Sequence, residues 1–295
     1  MISQEIARKV RYIQIAARRA VNSALGGDYT SVFRGQGIEF HDVRLYQPGD
    51  EIRTIDWNVT ARTGETYIKR FIEERELTVL FAVDASASGS FGSAGRSKAE
   101  IAAELTAIIA FAAIRHNDRV GLIIFTDTIE LFIPPKKGSK HVLRMVSELL
   151  SFSPKHTGTS IGKALDFIGR VMHRRVTVFL VSDFIDNHYK DQLKRTSKHH
   201  DMVAVAVLDR HEKELPNIGL IILEDAENGE KVIVDTASNK VRLEYANKSE
   251  ERQKNLTNFL RKVGVDHIEI HTEKSWLRDL VRFFKDRESH LIRGR

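Results

Sequence analysis

The chain has 295 residues, 46 Lys and Arg against 40 Asp and Glu, 42% hydrophobic residues and 0 Cys. That length suits one large α/β domain or two smaller ones, with a core that needs no covalent staples. The missing cysteines exclude disulfide scaffolds, thiolate zinc sites, iron–sulfur clusters and cysteine nucleophiles. The net charge of +6 is uneven: residues 1–25 carry +4, residues 281–295 carry +3, and the body between them is near neutral. No apolar run approaches the roughly 18–20 residues of a spanning helix, and the basic N-terminus lacks the apolar core of a signal peptide. The expectation is a cytoplasmic protein that touches a membrane only peripherally, if at all.

In chain order, Ile2–Leu25 has helical spacing at Ile6, Val10, Ile13, Ala17 and Ala20, ended by Gly26-Gly27. Residues 28–75 read as a small β-rich element with strands at Ile38–Tyr46 and Tyr67–Glu74. Its alternating charges, Glu39, Arg44, Asp50, Arg53, Asp56 and Arg62, suggest a self-satisfying polar network, with Trp57 as a packing anchor. From residue 77, buried strands alternate with helices. The strands are Leu77–Val83, Arg119–Phe125, Val176–Val181, Met202–Leu208 and His267–His271, and Ile129–Ile133 pairs back on the second. The helices are Ser97–Arg115, Ser139–Leu150, Ser160–Met172, Tyr189–Lys198, Asn247–Val263 and Trp276–Phe284. Asn228-Gly229 between Gly219–Leu223 and Lys231–Asp235 signals an inserted hairpin with a mirror-image turn. The pattern predicts a doubly wound, mostly parallel α/β sheet with one antiparallel edge strand and helices on both faces. The organisation expected is 1–75 for the helix and β-rich element, 76–288 for the α/β domain with its insert at about 212–242, and 289–295 for the tail.

Three loops carry candidate chemistry. Asp84-Ala85-Ser86-Ala87-Ser88 follows the first buried strand, Thr157-Gly158-Thr159-Ser160 opens a helix, and Ser182-Asp183 ends another strand. Ligands of open parallel sheets bind beyond the carboxyl ends of the strands. Two carboxylates with several hydroxyls and no His form a hard, all-oxygen set suited to Mg²⁺ or Mn²⁺ rather than zinc.

The Asp-x-Ser-x-Ser run, the later Gly-Thr and the strand-end Ser-Asp resemble the metal-ion-dependent adhesion site of von Willebrand factor A domains. The resemblance assigns Asp84, Ser86, Ser88, Thr159 and Asp183 as metal ligands and implies a binding clamp, completed by a partner's carboxylate, rather than an enzyme. Gly37-Ile38-Glu39-Phe40, Arg44-x-Tyr46, Pro48-Gly49-Asp50, Arg53-x-Ile55-Asp56-Trp57 and Ala61-Arg62 resemble the bacterial family known as domain of unknown function 58. That family is often encoded beside MoxR-type AAA+ ATPases, which implies an adaptor or chaperone-like partnership. The alternatives are a metal-dependent phosphoesterase-type hydrolase and a nucleic-acid or membrane-surface binder using the basic ends.

Weaker signals point elsewhere. Gly89–Lys98 is glycine-rich but lacks the Gly-Lys-Ser/Thr of a phosphate loop, and reads as a flexible rim. The serines lack the Gly-x-Ser-x-Gly elbow of a hydrolase. The histidines, including His199-His200, read as surface residues, with His156 alone near the proposed ion.

Overall fold

The computed structural model describes residues 4–20, 38–73, 76–93, 95–186, 188–224, 229–273 and 276–293. The chain divides into two compact units, Phe33–Leu77 and the remainder.

In the small unit, β1 (Ile38–Leu45) and β2 (Tyr67–Glu73) pair antiparallel with a bulge between Phe40 and Asp42. Of the expected polar network the structure pairs Arg44 with Asp50, and Arg70 and Asp42, outside that set, form a second pair. Arg44 grips Asp50 through two bonds of 2.8 and 2.6 Å, and Arg70 grips Asp42 through two of 2.7 and 2.6 Å. A short helix, α1 below being the first of the chain and this one α2 (Trp57–Thr63), was not expected between the strands. Asp56 caps it by accepting from the Asn58 and Val59 amides, and Gly64 ends it at φ 82°. Trp57 sits on that helix 66% exposed, so it is not the packing anchor expected from sequence.

The large unit is built on a six-stranded sheet in the order β10-β7-β6-β3-β4-β5. Its strands are β3 (Thr78–Asp84), β4 (Arg119–Phe125), β5 (Ile129–Lys136), β6 (Thr177–Ser182), β7 (Asp201–Leu208) and β10 (Asp266–His271). All neighbours are parallel except β4 and β5, the antiparallel edge pair expected. The central strands are apolar on both faces because helices cover both. On one side, α5 (Ile161–Val171), α6 (Lys190–His199) and α8 (Asn239–Val263) close a core around Leu80, Ile123, Phe125 and Leu180. On the other, α3 (Lys98–Arg115) is buried through most of its length, since α4 (Ser139–Leu150) and α1 (Gln4–Ala20) pack beside it. Sequence grouped α1 with the β-rich element. The structure seats it on α3 and α4 instead, because α3 is apolar all round and needs a second layer to bury Ile13 and Ala17 against.

A four-residue helix, α7 (Arg210–Lys213), leads from β7 towards the inserted hairpin of β8 (Leu220–Glu224) and β9 (Lys231–Asp235). The strands pair antiparallel, Leu220 with Asp235 through Glu224 with Lys231, as the expected hairpin requires; 225–228, which include Asn228 of the expected turn, lie outside the described residues. The last helix, α9 (Leu277–Arg293), packs on β10 and runs well past the expected end at Phe284. Among the described residues no helix is long and apolar enough to cross a membrane.

Gly121 shows how tightly β4 is enclosed. A Cβ there would meet Pro135 Cγ at 2.9 Å and Leu80 Cδ1 at 3.1 Å, at the point where the β4–β5 register shifts. Gly121→Val is expected to lower stability by about 1–3 kcal/mol, measured as a lower urea midpoint with an unchanged denaturant slope.

Candidate metal centre

Strand β3 is the middle of the sheet, and the chain leaves it first towards β4 and later returns on its other side as β6. The ends of β3 and β6 therefore flank the point where strand order reverses, the crevice in which open α/β sheets bind ligands. Asp84 is the last residue of β3 and Asp183 directly follows β6.

Backbone bonds draw the three predicted loops together. The Ala85 amide donates to the Phe125 carbonyl at 2.8 Å, Ala87 to Thr157 at 3.0 Å, and Ser160 to Thr126 at 2.9 Å. The Ile161 amide donates to Asp186 at 2.9 Å, tying the third loop to the start of α5. Thr159 is thus set two residues beyond the Ala87–Thr157 bond and directly before Ser160, whose hydroxyl caps α5.

Three of the five predicted ligands, Asp84, Ser86 and Ser88, are hydrogen-bonded in sequence. Ser86 donates its amide to Asp84 at 3.0 Å, and its hydroxyl lies 3.1 Å from that of Ser88. Ser88 is near enough to Asp183 to favour the charged form of that carboxyl. Asp84 also accepts from the Ser182 hydroxyl at 2.7 Å. The Asp183 carboxylate is fixed by the Ile185 amide at 3.2 Å. The turn that makes this possible forces Phe184, a buried aromatic, to φ 59°, a left-handed conformation that bulky residues rarely adopt. Such strain is characteristic of functional loops.

Two residues that sequence reasoning missed complete the cluster. Lys98, on the first turn of α3, donates to Asp183 at 2.8 Å and to Glu212 of α7 at 2.6 Å. The Lys98 and Asp183 side chains are each only 4% exposed. A signal existed in the sequence: a lysine at the positive end of a helix otherwise apolar is unfavourable unless acids meet it. Its partners, 85 and 114 positions away, had no such mark.

The charges do not balance. Asp84, Asp183 and Glu212 are three carboxylates served by one ammonium, and among the described residues no ammonium or guanidinium pairs with Asp84. Burial, then the neighbouring Asp183, push the Asp84 carboxyl from 3.8 up to about 6. Burial opposes the charge on Asp183 too, but Lys98 and Ser88 outweigh it and hold that carboxyl below its ordinary value. Beside them lies a cavity of about 20 Å³, enough for one water-sized species, bordered by Asp84, Ser88, Lys98, Ser182 and Asp183. Ser86 and Thr159 are not among the residues lining it. The donor set is hard oxygen throughout, every carboxylate oxygen keeps a spare lone pair, and the local charge is negative. Such oxygens are of the kind a small divalent cation takes, although among the described residues no three His, Asp or Glu side chains are grouped so as to hold an ion by themselves.

A family model described as "Protein of unknown function DUF58" matches residues 42–255. The chain belongs to that family. Among relatives of this DUF58 protein, Uncharacterized protein Rv1480 of Mycobacterium tuberculosis is 29% identical over 295 residues, covering 98% of this chain and 92% of its own. Uncharacterized protein YeaD of Bacillus subtilis is 27% identical over 107 residues, 36% of this chain and 25% of its own. Similar solved structures include BatB from Bacteroides thetaiotaomicron, 16% identical with a TM-score of 0.46, covering 72% of this chain and 99% of that one. The SpRpn10 VWA domain is 12% identical with a TM-score of 0.38, covering 70% of this chain and 94% of that one.

Other expectations about this DUF58 protein need correction. The glycine-rich stretch after β3 is not a loose rim: Ser93 donates its amide and hydroxyl to Asp209 at 2.9 and 2.7 Å. Asp209 also caps α7 and accepts from Thr272 at 2.6 Å; burial resists its charge, but these bonds bring its carboxyl down to about 2. His200 is buried rather than at the surface, because it closes α6 where the chain enters β7. His156 faces Asp127, 3.6 Å away.

Replacing Asp84 tests the imbalance. A carboxyl that binds its proton more tightly folded than unfolded destabilises the fold once pH exceeds its unfolded value, fully so above its folded one. Asp84→Asn is therefore expected to stabilise the metal-free protein at pH 7 by on the order of 1–3 kcal/mol. In urea titrations the gain should shrink as pH falls from about 6 towards 3.8.

Proposed function

We propose that this protein is a divalent-metal-dependent protein-binding module of the cytoplasm, an adaptor working with a MoxR-type AAA+ ATPase. The observation that carries the reading is the small cavity at the β3 and β6 tips, bordered by the carboxylates of Asp84 and Asp183, the hydroxyls of Ser88 and Ser182 and a single ammonium, that of Lys98.

The residues divide the work. Asp84 and Asp183 supply charge. Ser86 and Ser88, bonded to each other and, through the Ser86 amide, to Asp84, orient that charge. Thr159 enters from the loop tied to Ala87. Asp84, Ser88 and Asp183 at the cavity, with Ser86 and Thr159 beside them, would hold Mg²⁺ or Mn²⁺, and the ion would supply a Lewis-acidic position for a carboxylate of the partner. Neutral hydroxyl ligands leave much of the metal's charge for that carboxylate. The strained turn at Phe184 and the cross-linked loops keep the oxygens in place beforehand, so little ordering is left to binding.

The matching ATPase, purified and immobilised, is expected to retain this protein in Mg²⁺ and release it in chelator. Asp84→Ala and Ser88→Ala should weaken retention at least tenfold while leaving the circular dichroism spectrum unchanged. Retention that is equal with and without chelator contradicts the reading.

A further inference from the structure

Among the described residues Lys98 is the one cation inside the cluster, and it sits on a carboxylate that the resemblance assigns to the metal. Its ammonium lies 2.8 Å from Asp183 Oδ2 and 2.6 Å from Glu212 Oε1. The side chain is 4% exposed, whereas that of Glu212 is 24% exposed. Burial alone would discharge it, but Asp183 and Glu212 keep it protonated. An ammonium and a dication on one carboxylate repel each other strongly at short range in a poorly solvated site. Asp183 thus has two competing claimants, and Glu212 is the second seat for one of them.

We infer that Lys98 is a built-in competitor for the divalent ion, which leaves Asp183 for Glu212 alone when the ion is loaded and so sets the ion affinity of the site. The inference rests on the metal-site reading above. Its geometry has a consequence beyond the site. Glu212 Oε2 accepts from the Asp209 amide at 3.1 Å, and the Glu212 carbonyl accepts from Ser249 of α8 at 3.0 Å. Asp209 in turn anchors Ser93 and Thr272. Full transfer of Lys98 to Glu212 therefore changes the charge balance at α7, where the loop after β3, the end of β10 and α8 are joined.

Mn²⁺ titration of the metal-free full chain, followed by the loss of the free-ion electron paramagnetic resonance signal, reads the affinity directly. Lys98→Met is expected to bind Mn²⁺ at least tenfold more tightly than wild type. Lys98→Met/Glu212→Gln keeps the wild-type net charge of the cluster and should also bind more tightly, which separates direct competition from bulk electrostatics. Glu212→Gln alone, which removes the second seat, should bind several-fold more weakly. The double variant and Glu212→Gln carry the test if Lys98→Met does not fold. Tight binding by Lys98→Met when wild type binds nothing supports the inference in its strongest form. Wild-type binding that none of the folded variants alters overturns the inference and leaves the metal site standing. Absence of Mn²⁺ binding in wild type and every folded variant overturns both.

Discussion

The site depends on the repulsion between two carboxylates fixed at neighbouring strand tips. Asp84 and Asp183 cannot move apart, because β3 and β6 are hydrogen-bonded neighbours in the middle of the sheet and Ser182, beside Asp183, donates to Asp84. Neither acid has the full hydration it would have in an unfolded chain. A fold that keeps two buried like charges side by side retains free energy that a cation can release. Lys98 releases part of it on the Asp183 side, while Asp84 keeps its elevated proton affinity.

The rest of the large unit serves to keep that geometry rigid. The parallel sheet is buried on both faces, so its strands cannot slide to relieve the crowding at their ends. Helix α3 brings Lys98 in from one side, and its own burial under α1 and α4 makes it hard to displace. Asp209 gathers Ser93, Thr272 and the start of α7 into one knot, which sets Glu212 beside Lys98. Local strain at Phe184 is the visible cost of placing Asp183 where it is.

Much of this was legible in the sequence, for identifiable reasons. The continuous apolar runs at β3, β4, β6 and β7 could only be strands covered on both sides, and the loops after them had to lie at one edge of a parallel sheet. Asp84, Ser86, Ser88 and Asp183 followed from period-2 spacing and strand-end position, and the structure brings all four together. What stayed hidden was long-range or short. Glu212 lies on a four-residue helix whose capping box was overlooked, and its contact with Lys98 spans 114 positions. The helix at Trp57 fell within a run too short for periodicity to register, although Asp56 and Gly64 mark its two ends.

The family has no settled activity, so the account stands or falls on whether a cation completes the cluster. Anomalous diffraction from crystals of the full chain soaked in Mn²⁺ answers that directly. The account predicts one strong peak within coordination distance of Asp84, Ser88 and Asp183, with the Lys98 ammonium no longer in contact with Asp183. A map with no peak there, and Lys98 still bonded to Asp183 at saturating Mn²⁺, would contradict it.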